Sequence, residues 1–207
     1  MKRLPLFLFV LASGLLSNNS AAQGFGATSA EEAKVISVLG LAPGKSLGEI
    51  GAGEGQLSIR AAKVVSPGGR VFATELSDKQ ATLKRNVESA GAANVEVRQA
   101  QAKTTSLDAG CCDAVLMRDV YHHLTAPDEI LADIRKALKP EGRLLIIDFE
   151  PRTGLSTVEG VRENRRGHGI PMSVLVEELK SAGFEIVTED KEWRSDLYAV
   201  VARRPKS

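Results

Sequence analysis

Ser46-Leu-Gly-Glu-Ile-Gly-Ala-Gly-Glu-Gly55 is an apolar run of strand length that opens into three glycines at alternate positions, and Gln56 to Val65 resumes with helical spacing. Strand, glycine turn and helix in that order make a ligand-binding unit. Glycine lets the backbone approach a bound molecule, and the first helical turn offers N–H groups with no internal partner. The spacing narrows the ligand. A dinucleotide-binding turn wants a glycine three residues after the second one, and that position holds Gln56. A nicotinamide or flavin pyrophosphate is therefore disfavoured. Glu49, two residues before the first glycine, agrees: its carboxylate would repel a pyrophosphate but suits an ammonium group. Glu75 closes the next strand, where a carboxylate can bind both hydroxyls of a ribose.

Outward from this unit the chain alternates helical patterns with short β-type runs. Helical spacing covers 31–39, 78–90, 127–138 and 172–182; further strands are read at 70–75, 95–100, 113–118 and 144–149. Pro140-Glu-Gly142 reads as a break between the 127–138 helix and the most apolar strand. Two last runs, 184–188 and 197–202, are joined by a turn at Ser195-Asp196 and should pair antiparallel. Strands separated by helices imply right-handed crossovers, so the expected fold is α/β: a single domain with a doubly wound seven-stranded sheet, mostly parallel, whose last strand is antiparallel.

The 207 residues carry 27 Lys+Arg and 26 Asp+Glu, a net charge of +1. Met1-Lys-Arg3, the apolar run Leu6 to Leu16 and the small residues Ser20-Ala-Ala22 follow the order of a secretory signal peptide. Residues 1–22 are read as that signal, 23–30 as a flexible leader and 31–207 as the domain. Loss of Lys2 and Arg3 leaves 1 − 2 = −1. So balanced a charge gives no electrostatic reason to bind nucleic acid or an anionic membrane. The expectation is an exported, periplasmic or secreted protein without stable membrane insertion; the alternative is an N-terminal membrane tether. Cys111 and Cys112, the two cysteines, cannot build a disulfide framework and are read as core thiols.

Four segments in order resemble class I S-adenosylmethionine-dependent methyltransferases of the ubiquinone/menaquinone type: 46–55, Phe72-Ala-Thr-Glu75, Asp113 to Leu124, and Ile134 to Asp148. The likeness spans about 31–202 and implies a Rossmann-like seven-stranded fold with S-adenosylmethionine as cofactor. It implies that Glu49, Gly51, Ala52, Gly53 and Gly55 shape the methionine end of the pocket. Glu75 would hold the ribose and Leu76 lie against the adenine. Gln101 and Ala102 stand where the family often has an acid for the adenine amino group; an amide oxygen can still accept that hydrogen bond. Arg118 and Asp119 would lie near the sulfonium and the acceptor.

The acceptor is read as a small molecule. Tyr121, His122 and His123 follow the fourth strand at the carboxyl edge, where such sheets bind ligands. A base is needed only if the acceptor must lose a proton, and a histidine suits that role. His122 is favoured over His123 because neighbouring helical residues point to different sides; Tyr121 and Asp119 complete the catalytic candidates. His123, with His168 and Arg165 in the loop Arg165-Arg-Gly-His-Gly-Ile170, would face the acceptor. Asp119 and Asp148 invite a magnesium reading, but the Asp-Asn pair that such enzymes use is absent, since Phe149 follows Asp148, so no metal is expected. A non-catalytic ligand-binding module is the second reading: the donor is made in the cytoplasm, and an exported enzyme could not easily replenish it.

Overall fold

The computed structural model describes residues 27–157 and 159–206; segment 1–22, expected to be a signal peptide, lies outside the described residues. The elements are α1 (Ser29–Leu39), β1 (Leu47–Ile50), α2 (Gln56–Val65), β2 (Val71–Glu75), α3 (Ser77–Ser89), β3 (Val95–Gln99), β4 (Cys112–Arg118), α4 (Pro127–Ala137), β5 (Leu138–Phe149), α5 (Met172–Ser181), β6 (Glu185–Arg194) and β7 (Leu197–Arg203). The sheet has seven strands in the order β3-β2-β1-β4-β5-β7-β6. β7 runs antiparallel to both neighbours, and the pairings among β1 to β5 are parallel. This is the expected architecture, including the terminal hairpin through Ser195-Asp196.

The alternation of side chains along β4 and β5 supplies both cores. Val115, Met117, Leu144 and Ile146 face Ile130, Ile134 and Leu175 on one side. Ala114, Leu116, Leu145 and Ile147 face Val35, Ala61 and Val65 on the other. A strand buried on both faces must be apolar throughout, which is why LLIIDF reads as a continuous run.

Three expectations are corrected. Pro140-Glu-Gly142 does not separate helix from strand: β5 begins at Leu138, and the segment is absorbed as a register shift between the Cys112–Leu138 and Ala114–Arg143 pairs. Residues 27–30 belong with the domain, because Ala27 is buried in the α1–α2 core and the Thr28 side chain caps α1 through the Glu31 amide at 3.2 Å. Cys111 and Cys112 are joined as a vicinal disulfide rather than left as thiols. A bond between neighbours closes no long loop and so adds little entropic stabilisation. No helix among the described residues is long and apolar enough to cross a membrane.

Candidate active site at the carboxyl edge

Strand order reverses between β1 and β4, so connections leave these neighbours in opposite directions and open a crevice at their carboxyl ends. Two groups of residues flank it. On the β1–β2 side, the turn 51–55 is tied to β2 by the Gly51 and Ala52 amides, both donating to the Thr74 carbonyl at 3.0 Å. All three glycines have positive φ (72°, 56° and 86°), but for different reasons. A Cβ on Gly51 would meet Val120 at 2.4 Å and one on Gly55 would meet Leu83 at 2.5 Å, whereas one on Gly53 would have nothing within 4 Å. Gly51 and Gly55 are glycine so that the protein can pack; Gly53 keeps its backbone bare toward open space.

Glu75 is buried, and its carboxylate accepts from the Gly53 amide at 2.5 Å and from the Leu76 amide at 2.8 Å. The acid at the end of β2 is thereby held against the bare glycine. Leu76 is 55% exposed, an apolar surface beside it, and Gln101 and Ala102 are exposed just past β3. Glu49 is buried and accepts a hydrogen bond from the Ser58 hydroxyl. Burial pushes its carboxyl up to about 7 against that hydrogen bond, and the charge of Glu75 adds to the rise. A carboxyl so placed is ready to ionise against an incoming cation.

On the β4–β5 side, Asp119 has a positive φ of 60°, a strained value for a residue with a side chain, and its amide donates to the Ile147 carbonyl at 2.9 Å. Burial raises its carboxyl above the ordinary range, and nearby Asp148 adds to this. Residues Tyr121–His123 form a 3₁₀ turn. Fully buried Asp148 accepts from the His122 amide at 3.1 Å and meets His122 Nδ1 at 2.8 Å. The two rings expected on different sides come together: His122 and His123 centroids are 3.9 Å apart. His168 joins them at 4.8 and 5.3 Å. A backbone bridge to Arg152 pins it, and Gly169 permits the close approach, since a Cβ there would meet the Phe149 carbonyl at 2.8 Å. Burial, with the other two imidazoles, pushes His123 down to about 4, so it is neutral at physiological pH.

Two sequence candidates are committed to Glu178, and a third, Arg118, stays at the end of β4 beside the crevice, paired with Glu31. Tyr121 is fully buried, donates its hydroxyl to Glu178 at 2.7 Å and has its phenol held far above the ordinary range by that burial and by Glu178. Arg165 is equally buried and pairs with Glu178 at 2.8 and 3.1 Å. Both build the scaffold under the loop rather than a surface for an acceptor. Arg118 donates to Glu31 at 3.1 and 3.3 Å. Glu31, which sequence reasoning missed, also accepts from Trp193 and Arg194, at 3.0 and 2.6 Å, and so ties α1 to the sheet beside the crevice. Nothing in Glu31-Glu32 distinguishes it from an ordinary acidic first turn.

Residues 48–146 match the family model described as "Methyltransferase domain". A ubiquinone/menaquinone biosynthesis C-methyltransferase of Pseudomonas putida is 28% identical over 120 residues, 57% of this chain and 47% of that protein. The chain thus spans about half the length of the curated relatives it matches. A S-adenosylmethionine-dependent methyltransferase from Aquifex aeolicus has the same fold, with a TM-score of 0.69 at 23% identity over 84% of this chain and 89% of that one. So does phosphoethanolamine N-methyltransferase 2 of Haemonchus contortus, solved with S-adenosyl-L-methionine, with a TM-score of 0.67 at 20% identity over 86% and 53%. The fold is that of S-adenosylmethionine-dependent methyltransferases, and the matched segment is similar to their methyltransferase domain.

Proposed function

We propose that this chain transfers a methyl group from S-adenosylmethionine to a small-molecule acceptor, with the cofactor on the β1–β2 side of the crevice and the acceptor on the β4–β5 side. The observation that carries this is the contact of Glu75 with the bare Gly53 amide, inside the segment matching the methyltransferase domain. The residues fit the cofactor. Gly51, Ala52, Gly53 and Gly55 form the cradle and Glu75 stands at the ribose position, with Leu76 presenting apolar surface for the adenine. Glu49 supplies a carboxylate that an ammonium group would return to its charged form. Bound S-adenosylmethionine supplies an electrophilic methyl group on a sulfonium.

Methyl transfer is an in-line displacement, so holding the acceptor accounts for much of the rate. The histidine end does that holding. His122 Nδ1 faces the acceptor-only carboxylate of Asp148, which fixes the proton on Nδ1 and leaves the lone pair on Nε2. That lone pair can receive a proton from an acceptor oxygen or nitrogen. Turnover of S-adenosylmethionine to S-adenosylhomocysteine with a panel of phenols, quinols and acids tests the reading. Cofactor binding by calorimetry with no turnover on any of them would favour the ligand-binding module.

Export through residues 1–22 is part of the same proposal, supported by the basic, apolar and small-residue order of that segment. A protein starting at Gln23 outside the cytoplasm is expected. The full chain from Met1 in the soluble cytoplasmic fraction would overturn it.

A further inference from the structure

We propose that His122, His123 and His168 bind a borderline divalent metal ion of the zinc type at the acceptor end of the crevice. One ring nitrogen from each lies within 4.8 Å of those of the other two. The hydrogen bonds say which nitrogens carry lone pairs. Asp148 can only accept, so His122 Nδ1 carries the proton and Nε2 the lone pair. The Ser156 carbonyl, 3.0 Å from His168 Nδ1, can likewise only accept and leaves the His168 lone pair on Nε2.

A second, independent observation points to a ligand. His122 is 3% exposed, yet its Nε2 has no hydrogen-bond partner among the described residues, and neither does His123 Nδ1. Buried polar atoms are normally satisfied, and an orphaned one marks a missing ion, water or substrate. An imidazole whose far nitrogen donates to a carboxylate or a backbone carbonyl has the arrangement that orients metal ligands. Two of the three histidines have it. Three imidazoles without a thiolate suit zinc, copper, iron or nickel rather than magnesium or calcium, which want oxygen ligands.

The inference rests on the β4–β5 side being the acceptor end, and it changes how the proton leaves. Three protein ligands leave a coordination position open. An acceptor hydroxyl or thiol bound there is acidified by the cation, as bound water is. Its proton passes to Asp119, whose carboxylate lies within 4.8 Å of His122 and Asp148 ligand atoms. The freed oxygen or sulfur then forms its bond to the methyl carbon as the carbon–sulfonium bond breaks. His122 in that case orients the cation instead of taking the proton.

The test titrates the full chain, free of any histidine tag, with Zn²⁺ alone by calorimetry and with Co²⁺ by visible absorption. One ion per chain is expected, with the Co²⁺ ligand-field bands of imidazole coordination. H168Q should weaken binding at least a hundredfold while circular dichroism stays that of the wild type, because His168 sits in a loop outside the core. H123Q is the second variant. No stoichiometric binding, or binding retained in both variants, would overturn the proposal. The titration needs no methyl transfer, so its failure and the failure of the methyltransferase reading are separately visible.

Discussion

The two sides of the crevice are built in opposite ways. On the β1–β2 side, Glu49, the glycine turn and Glu75 fall within one stretch of 27 residues, and their polar demands are met locally. The Glu75 carboxylate takes two backbone amides, and Glu49 takes the Ser58 hydroxyl. On the β4–β5 side, His168 lies 45 residues beyond His123. There the polar atoms are imidazole nitrogens, two of them buried without partners. One side offers carboxylates and bare backbone, complementary to a cationic amino acid and a ribose. The other offers lone pairs. The donor side is finished before its ligand arrives, and the acceptor side is not.

The largest expected effect separates binding from packing among the glycines. Gly53→Val should weaken cofactor binding by about two orders of magnitude or more, since the branched side chain fills the open space that the ligand needs, while φ at 56° adds modest strain. Gly55→Val should instead lower the thermal midpoint, because its Cβ collides with Leu83, at a cost of roughly 1–3 kcal/mol. Calorimetry paired with thermal melts reads both. Equal loss of stability in the two variants would erase the distinction.

Asp148→Asn probes the other side. Its amide can donate to His122 Nδ1 and reverse the tautomer, so methyl transfer should fall by about 10–100-fold. The cofactor dissociation constant should stay the same, because Asp148 is tied to His122 and Phe149 rather than to the glycine turn. A parallel loss of cofactor affinity would show that the two sides are one energetic unit.

The same contrast explains what was legible in the sequence. The sheet and the donor side are readable because their signals are local: apolar runs, a glycine turn of fixed spacing, an acid within β1 and another closing β2. Even there, the reason for each glycine was not visible, since Val120 and Leu83 arrive from other elements. The acceptor side was only half legible. Histidines after β4 could be noticed, but adjacency in a helix suggested divergence, and the 3₁₀ turn brings the rings together. His168 stands out in the sequence by its basic, glycine-rich loop, whereas its place beside His122 depends on the bridge to Arg152. Tyr121 and Arg165 looked like site residues for want of their common partner, Glu178, which sits on α5 far along the chain.

Glu75→Gln comes next in size. The new NH₂ must face one of the two amides that the carboxylate now accepts, and the charge-assisted bonds to a ribose, each about 1.5–3 kcal/mol, lose their charge. Cofactor affinity should fall by roughly tenfold, with turnover at saturating cofactor little changed. An unaltered dissociation constant would move the ribose away from Glu75.

The smallest effect is a pH dependence confined to the donor side. Burial holds the Glu49 carboxyl up at about 7 against an ordinary value of 4.5, so it gains a proton as pH falls through 7. A protonated carboxyl cannot offset an ammonium charge. Cofactor binding should therefore weaken between pH 7.5 and 6.0 by somewhat less than tenfold, because a carboxyl titrating at about 7 falls from roughly three-quarters to roughly a tenth ionised over this range. The effect of the same group on folding has the opposite sense. The folded state holds a proton that the unfolded chain releases above 4.5, so this contribution favours folding most at pH below 4.5, declines as pH rises to about 7, and is flat beyond. Glu49→Gln should remove both slopes together. Calorimetric titrations at four pH values, in wild type and Glu49→Gln, check the binding arm, and urea unfolding over the same range checks the folding arm. A binding slope that persists in Glu49→Gln would assign the titration to another group and leave Glu49 a buried strand residue held by Ser58.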